Sequence, residues 1–303
     1  MISVISTLMY HGLKVSGFKK VFSLPEGKFL QKVAKINQSR QFFLPKDNKA
    51  HYHEQKIFDK YSCLVIQNNK TPSERAVLFF FGGGMMIGPD KGDIAVACKL
   101  AQNADCDVWF PYYPLCTDYC ITESYRMSFE CYRQMLEIYG AGNVSTCGFS
   151  SGGALAIGMA SHNNAIDAGL AQPRHIVAVS PGEVPWNEAE CARMQALNAR
   201  DVMIDYVYMK TAEGYMRHGE ADVQEYMIHL SKGNLAGVDN IHFFYSEDEV
   251  LYGAWPEFRA ACVKYGVKYT ITSRPKMLHC YAVQPLYREG KEDFQKICAI
   301  LAQ

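Results

Sequence analysis

From about residue 61 onward, short apolar segments alternate with segments of helical periodicity. Continuous apolar runs of strand length are typical of strands that are covered on both faces. Their alternation with helices predicts a mostly parallel, doubly wound α/β sheet. The predicted strands are 61–67, 76–81, 107–112, 144–149, 175–180, 241–245 and 268–272. The predicted helices are about 91–104, 122–139, 153–163, 256–265 and 286–301.

Two segments lie outside this alternation. Residues 1–50 precede the sheet and have the pattern of helices and loop, beginning with apolar residues at helical spacing. Residues 183–237 separate two predicted strands by far more than a usual connection and contain helical pieces. We therefore predict a single α/β domain over residues 1–303, with a helical lid built from about 1–50 and 183–237.

Charge and cysteine usage exclude several classes of protein. The chain has 31 Lys and Arg and 31 Asp and Glu, so no basic excess favours nucleic-acid binding. No apolar run approaches the ~20 residues of a membrane span. The 11 cysteines form no C-x-x-C pair, and several lie in apolar segments. This pattern predicts free thiols in a reducing, cytoplasmic compartment.

The segment 144–158 contains Gly148-x-Ser150-x-Gly152 between an apolar strand and a helical run. A serine at such a sharp strand-to-helix turn is held in a strained conformation, and the flanking glycines allow strand and helix to approach closely. The amides at the start of the helix point towards the place where negative charge would develop. This context predicts that Ser150 is a nucleophile.

A second glycine motif, Gly82-Gly83-Gly84, directly follows the apolar strand 76–81. Consecutive glycines leave backbone N–H groups open, with no side chain in the way. Such amides can stabilise a tetrahedral oxyanion together with the amide of the residue after the nucleophile. We predict an oxyanion hole formed by Gly83, Gly84 and Ser151.

A serine nucleophile needs a base, and the base needs an acid that orients it. On this type of fold the expected order is serine, acid, histidine. Beyond Ser150, His279 lies in the loop after the last predicted strand, where the base is expected, whereas His242 lies within a strand and His218 in the predicted lid. The acid is one of three adjacent carboxylates in the run 247–249.

Together these motifs resemble those of the hormone-sensitive-lipase-like esterases of the α/β-hydrolase superfamily, over about residues 60–301. That family carries H-G-G-G, G-D-S-A-G-G, D-x-L and a C-terminal histidine. The corresponding segments are Phe81-Gly-Gly-Gly84, Gly148-Phe-Ser-Ser-Gly-Gly153, Glu249-Val-Leu251 and Met277-Leu-His279.

The resemblance implies hydrolysis of short-chain carboxylic esters without a metal or a cofactor. It favours Glu249 as the acid, because Glu249 occupies the first position of the D-x-L motif and precedes His279 by a spacing typical of the family. Aspartate is the commoner residue in this role, so Asp248 remains the alternative.

Three residues depart from the family pattern. Phe81 replaces the motif histidine, Phe149 replaces the aspartate before the nucleophile, and Ser151 replaces the alanine after it. None of these changes removes the nucleophile, the base or the glycine amides. We expect the Phe81 ring to support the glycine loop by packing rather than by hydrogen bonding.

The sequence thus predicts a serine carboxylesterase that acts on short-chain acyl esters through Ser150, His279 and Glu249. An amidase or peptidase on the same fold, or a non-catalytic member that binds a small molecule, is the alternative. The expected partner is a small-molecule ester, and a homodimer is a candidate assembly. The His51-x-His53 spacing could suit zinc, but no third ligand is clustered nearby, so no metal site is expected.

Overall fold

The computed structural model describes residues 3–303. In that range, eight strands form one sheet. Their bounds are His51–Ile57 (β1), Tyr61–Gln67 (β2), Ala76–Phe80 (β3), Asp107–Pro111 (β4), Val144–Phe149 (β5), Ile176–Val179 (β6), Asn240–Ser246 (β7) and Lys268–Arg274 (β8). All residues of β3 and β4 are buried, so both faces of the centre of the sheet are covered.

The strand order is β1-β2-β4-β3-β5-β6-β7-β8. β2 pairs antiparallel with both β1 and β4, and every other pairing in the sheet is parallel. The chain therefore forms the predicted mostly parallel α/β sheet.

The parallel register aligns the carboxyl ends of the central strands. Phe80 at the end of β3 pairs with Gly148 of β5, and Phe149 pairs with Val179 at the end of β6. Val179 in turn pairs with Phe244 of β7. The loops after β3, β5, β6 and β7 consequently start at one edge of the sheet, which brings together the segments that carry the predicted site residues.

The helices connect the strands and supply the flanking layers. Their bounds are Val4–Ser16 (α1), Glu26–Asn37 (α2), Lys91–Ala104 (α3), Ile121–Tyr139 (α4), Ser151–Ala165 (α5), Glu188–Leu197 (α6), Tyr206–Arg217 (α7), Trp255–Tyr265 (α8) and Arg288–Leu301 (α9). α3 packs against α9, and α4 packs against α5. In the described range, no helix combines the length and apolar character required to cross a membrane.

The N-terminal segment, residues 3–50, packs against the insertion, residues 183–237. The Tyr10 hydroxyl donates to the Arg200 carbonyl oxygen at 2.8 Å. The rings of Phe22 and Phe29 lie 5.4 and 5.7 Å from the ring of Tyr208 in α7. The two segments outside the strand–helix alternation are thus in direct contact.

β1 was not among the predicted strands. Its sequence, HYHEQKI, is mostly polar, and only Ile57 is fully buried. β1 lies at the edge of the sheet, where one side of the strand has no neighbour. Because an edge strand buries few side chains, it lacks the apolar run by which the other strands were recognised.

Candidate active site

Ser150 lies at the sharp turn between β5 and α5. Its backbone has φ 56° and ψ −128°, which is a strained conformation for a residue with a side chain. A Cβ atom on Gly148 would lie 2.2 Å from the carbonyl oxygen of Gly152, and one on Gly152 would lie 2.2 Å from that of Phe81. Only glycine fits at these two positions, so the sequence around Ser150 permits the sharp turn on which Ser150 lies.

A chain of hydrogen bonds joins the predicted nucleophile, base and acid. Nε2 of His279 lies 3.0 Å from Oγ of Ser150, and Nδ1 of His279 lies 2.5 Å from Oε2 of Glu249. All three side chains are buried. This is the arrangement in which an imidazole can take a proton from a hydroxyl while a carboxylate fixes its tautomer.

Asp248, the alternative acid, is not part of this chain of hydrogen bonds. Its carboxylate lies 3.1 Å from the guanidinium of Arg200 and accepts a hydrogen bond from the Lys276 amide at 2.6 Å. Adjacent residues direct their side chains differently here, and the structure brings Glu249 rather than Asp248 to His279.

Ser180, the residue directly after β6, was not among the predicted site residues. Its hydroxyl donates to Oε1 of Glu249 at 2.8 Å, and its Oγ accepts a hydrogen bond from the Cys280 amide at 3.0 Å. The Ser246 amide donates to the same Oε1 atom at 2.8 Å. Ser180 therefore connects the carboxylate to the peptide that directly follows His279. A polar residue at the carboxyl end of an otherwise apolar strand is the signal that could have identified it.

Asp201 of the insertion holds the loop that carries Glu249. Its buried carboxylate accepts hydrogen bonds from the Val250 amide at 2.8 Å and from the Met203 and Ile204 amides at 2.8 and 2.9 Å. Since Val250 directly follows Glu249, this contact ties the insertion to the acid.

Burial and mutual contact act in opposite directions on the pKa values of Glu249 and His279. Burial raises the pKa of Glu249, and the His279 imidazole opposes that shift. Burial by itself lowers the pKa of His279. The negative charges of an ionised Cys280 thiol and of the Glu249 carboxylate oppose this effect, and the resulting pKa lies well above the ordinary value. Burial also raises the pKa of Cys280, which leaves that thiol neutral near pH 7. The Glu249 carboxylate is consequently the group that stabilises a protonated His279.

The glycine loop after β3 lies beside the nucleophile. A Cβ atom on Gly82 would lie 3.0 Å from the Cβ of Ser150. Gly83 and Gly84 have φ of 123° and 62°, and the Gly83 carbonyl oxygen accepts hydrogen bonds from the Met86 and Ile87 amides at 3.0 Å each. Within residues 3–303, the backbone N–H groups of Gly83 and Gly84 donate no hydrogen bond. These two N–H groups are available to a bound oxygen atom.

Two aromatic rings support this loop. The buried ring of Phe81 stacks on that of Tyr113, with centroids 4.1 Å apart and an interplanar angle of 6°. The Tyr113 hydroxyl donates to the Phe81 carbonyl oxygen at 2.8 Å. A Cβ atom on Gly82 would lie 2.8 Å from the ring of Phe149. The loop thus rests on packing, with one hydrogen bond supplied by Tyr113.

The N-terminal segment and the insertion also contact the glycine loop. The Tyr208 hydroxyl donates to the Gly84 carbonyl oxygen at 2.5 Å. Asn37, at the end of α2, donates to the Met86 carbonyl oxygen at 2.9 Å and accepts from the Gly88 amide at 3.0 Å. Tyr208 and Asn37 thus hold the peptide groups that follow Gly83. Neither residue was among the predicted site residues.

Comparison with known proteins agrees with this architecture. A family model described as alpha/beta hydrolase fold matches residues 77–283. The chain belongs to this family. The fold class and the resemblance predicted from the motifs are thereby confirmed. No curated protein matches the chain.

Solved structures of similar fold include members of the hormone-sensitive lipase family. An esterase from the bacterial hormone-sensitive lipase family is 17% identical, with 100% of this chain and 99% of that one covered and a TM-score of 0.80. A hormone-sensitive lipase from a metagenome library is 18% identical, with 98% and 97% covered and a TM-score of 0.79. The homologue EstE7, also from a metagenome library, is 19% identical, with 98% and 97% covered and a TM-score of 0.79.

The contact between Glu249 and His279 predicts how the histidine titrates. In the wild-type protein, we expect His279 to titrate above the ordinary value of 6.5, because the adjacent carboxylate stabilises the imidazolium. In Glu249→Gln the carboxylate is lost while burial remains, so the pKa of His279 should fall below that value. NMR titration of the labelled histidine side chains measures both.

Asp248→Asn is the matched control, since it removes a neighbouring carboxylate that does not contact His279. It should leave the titration of His279 nearly unchanged. A larger fall of the pKa in Asp248→Asn than in Glu249→Gln would refute the assignment of Glu249 as the partner of His279.

Proposed function

We propose that this protein is a serine carboxylesterase that hydrolyses short-chain acyl esters through an acyl-enzyme. The observation that carries the proposal is the chain of hydrogen bonds from Ser150 through His279 to Glu249. Beside it lie the backbone N–H groups of the glycine loop, which donate no hydrogen bond. A nucleophile, a base and donors for an oxyanion are the three elements that acyl transfer requires.

In the proposed mechanism, Oγ of Ser150 attacks the ester carbonyl carbon while Nε2 of His279 accepts its proton. The Glu249 carboxylate holds the imidazole in the required tautomer and stabilises the imidazolium. The amides of Gly83, Gly84 and Ser151 stabilise the negative charge on the carbonyl oxygen. His279 then donates the proton to the leaving alcohol, which leaves an acyl group on Oγ of Ser150. A water molecule, deprotonated by His279, attacks the acyl carbon, the bond to Oγ breaks, and His279 returns the proton to Oγ as the acid leaves.

We further propose that the N-terminal segment and the insertion form a lid on a single domain. Their mutual contacts and their hydrogen bonds to the glycine loop and to the loop of Glu249 support this role. A cleft of about 540 Å³ opens between residues 22–29 and 207–215, and Tyr208 is in its wall.

A cytoplasmic location is part of the proposal. All 11 cysteines are free thiols. Burial raises the pKa of most of them, for example that of Cys262 to about 12, which makes them inert at neutral pH. A homodimer remains a prediction.

Hydrolysis of p-nitrophenyl esters tests the proposed reaction. We expect turnover of the acetate and butyrate esters, falling as the acyl chain lengthens. Ser150→Ala should lower kcat by at least ~10³-fold, because the members of such a triad act as a unit. Full activity of Ser150→Ala would contradict the mechanism, and hydrolysis of p-nitroanilides with no ester turnover would favour the amidase alternative.

Tyr208→Phe tests whether the lid positions the oxyanion loop. The substitution removes the hydroxyl that donates to the Gly84 carbonyl oxygen and keeps the ring. A hydrogen bond of this kind contributes ~1 kcal/mol, so kcat for p-nitrophenyl butyrate should fall about fivefold while KM changes little. Tyr215→Phe is the control, since Tyr215 lies on the same helix and packs on Phe29 without bonding the loop. Equal kcat values in the two variants would exclude the positioning role.

A further inference from the structure

Helix α1 has two different faces. On its inner face, Ser6 is buried and its hydroxyl lies 3.7 Å from the Met277 sulfur, and Met9 packs against the core. Tyr10 bonds the Arg200 carbonyl oxygen from the same side. The inner face therefore attaches the helix to the rest of the protein.

The outer face of α1 is apolar and uncovered. Ile5, Leu8 and Val15 are 54%, 65% and 86% exposed. With Gly12 they follow the spacing i, i+3, i+7, i+10, which places them in one stripe about 15 Å long. A Cβ atom on Gly12 would have no neighbour within 4 Å, so the stripe is open at its centre as well. We call these four residues the outer stripe.

The outer stripe lies in the most basic part of the chain. Residues 1–50 contain nine Lys and Arg and two acidic residues, a net charge of +7, whereas the remaining residues have a net charge of −7. Lys14, Lys20, Lys28, Lys32 and Lys35 are exposed, and in the described part of the chain none of them forms an ion pair. An uncovered apolar stripe on a helix that belongs to a segment with a net charge of +7 has the chemistry of a surface that binds an apolar layer with anionic groups at its border.

We propose that α1 binds the surface of an anionic lipid bilayer. The outer stripe enters the boundary between head groups and acyl chains, and the net positive charge of residues 1–50 attracts the anionic lipid groups. Amphipathic helices with a basic polar face bind membranes in this way without spanning them, and their affinity depends on buried apolar area and on anionic lipid content.

A second copy of the chain fits this face less well. A two-fold symmetric contact places the same patch of each copy against the other. Two N-terminal segments, each with a net charge of +7, would then face each other across a narrow apolar stripe. The repulsion between like charges opposes such a contact, whereas it favours an anionic bilayer.

Bilayer binding would also affect the neighbourhood of the proposed active site. The same N-terminal segment holds the glycine loop through Asn37 and borders the cleft through Phe22 and Phe29. Bilayer binding would thus bring a segment that contacts the glycine loop next to a phase in which apolar esters concentrate. The binding itself does not rest on the proposed esterase function, because it requires only the exposed residues of α1 and its surroundings.

Vesicle flotation with the full-length protein tests the proposal. We expect binding to vesicles of an equal mixture of phosphatidylcholine and phosphatidylglycerol, weak binding to pure phosphatidylcholine, and loss of binding as sodium chloride screens the charges. The double variant Ile5→Gln/Leu8→Gln should lower the partition coefficient at least ~10-fold, because each large apolar side chain contributes strongly when it leaves water.

Ile138→Gln/Val263→Gln is a closely matched control. These residues lie on α4 and α8 and are 53% and 65% exposed, almost the same as Ile5 and Leu8. The control should bind vesicles like the wild type. Val15→Gln, at the most exposed position of the stripe, should weaken binding without changing the melting temperature. Hydrolysis of p-nitrophenyl butyrate in solution should be the same in all variants.

Three results would overturn the proposal. The first is that the wild-type protein does not float with anionic vesicles at low salt. The second is that the control variant loses binding as much as Ile5→Gln/Leu8→Gln does. The third is that the wild type is a dimer by size-exclusion chromatography with light scattering and Ile5→Gln/Leu8→Gln is a monomer, since a second copy then covers the stripe.

Discussion

The buried hydrogen bond between Glu249 and His279 is the interaction on which the rest of the site depends. Burying a carboxylate away from water raises the free energy of the folded state unless other groups donate hydrogen bonds to its oxygen atoms. Here Oε2 contacts the imidazole, and Oε1 accepts from the Ser180 hydroxyl and the Ser246 amide. These donors come from the ends of β6 and β7 and from the loop after β8, so the sheet must form before the carboxylate is satisfied.

The same edge of the sheet places Ser150 and the glycine loop against this pair. The parallel register aligns the ends of β3, β5 and β6, and glycine at 148 and 152 permits the close approach of neighbouring backbones. The N-terminal segment and the insertion then fix the loops from outside, through Asn37 on one side and Tyr208 and Asp201 on the other. Elements from nearly the whole chain therefore position the side chains and amides of the site.

Much of this organisation could be predicted from sequence, for a physical reason. Strands covered on both faces must be apolar throughout, and the turn at Ser150 admits only glycine at two fixed positions, so both leave a local pattern in the sequence. β1 left no such pattern, because an edge strand can be polar. Ser180, Asp201, Tyr208 and Asn37 act through partners far away along the chain, and nothing in the sequence next to them reveals those partners. The choice between Asp248 and Glu249 likewise depends on which side chain points inwards, which the backbone decides.

If Ser150 is the activated nucleophile of this site, a covalent serine probe should label it. A p-nitrophenyl alkylphosphonate should add one phosphonyl group per chain, measured by intact mass, and peptide mapping should locate it on Ser150. The Ser150→Ala variant should form no adduct. An unlabelled wild-type protein, or a phosphonyl group on another residue with Ser150 free, would contradict it.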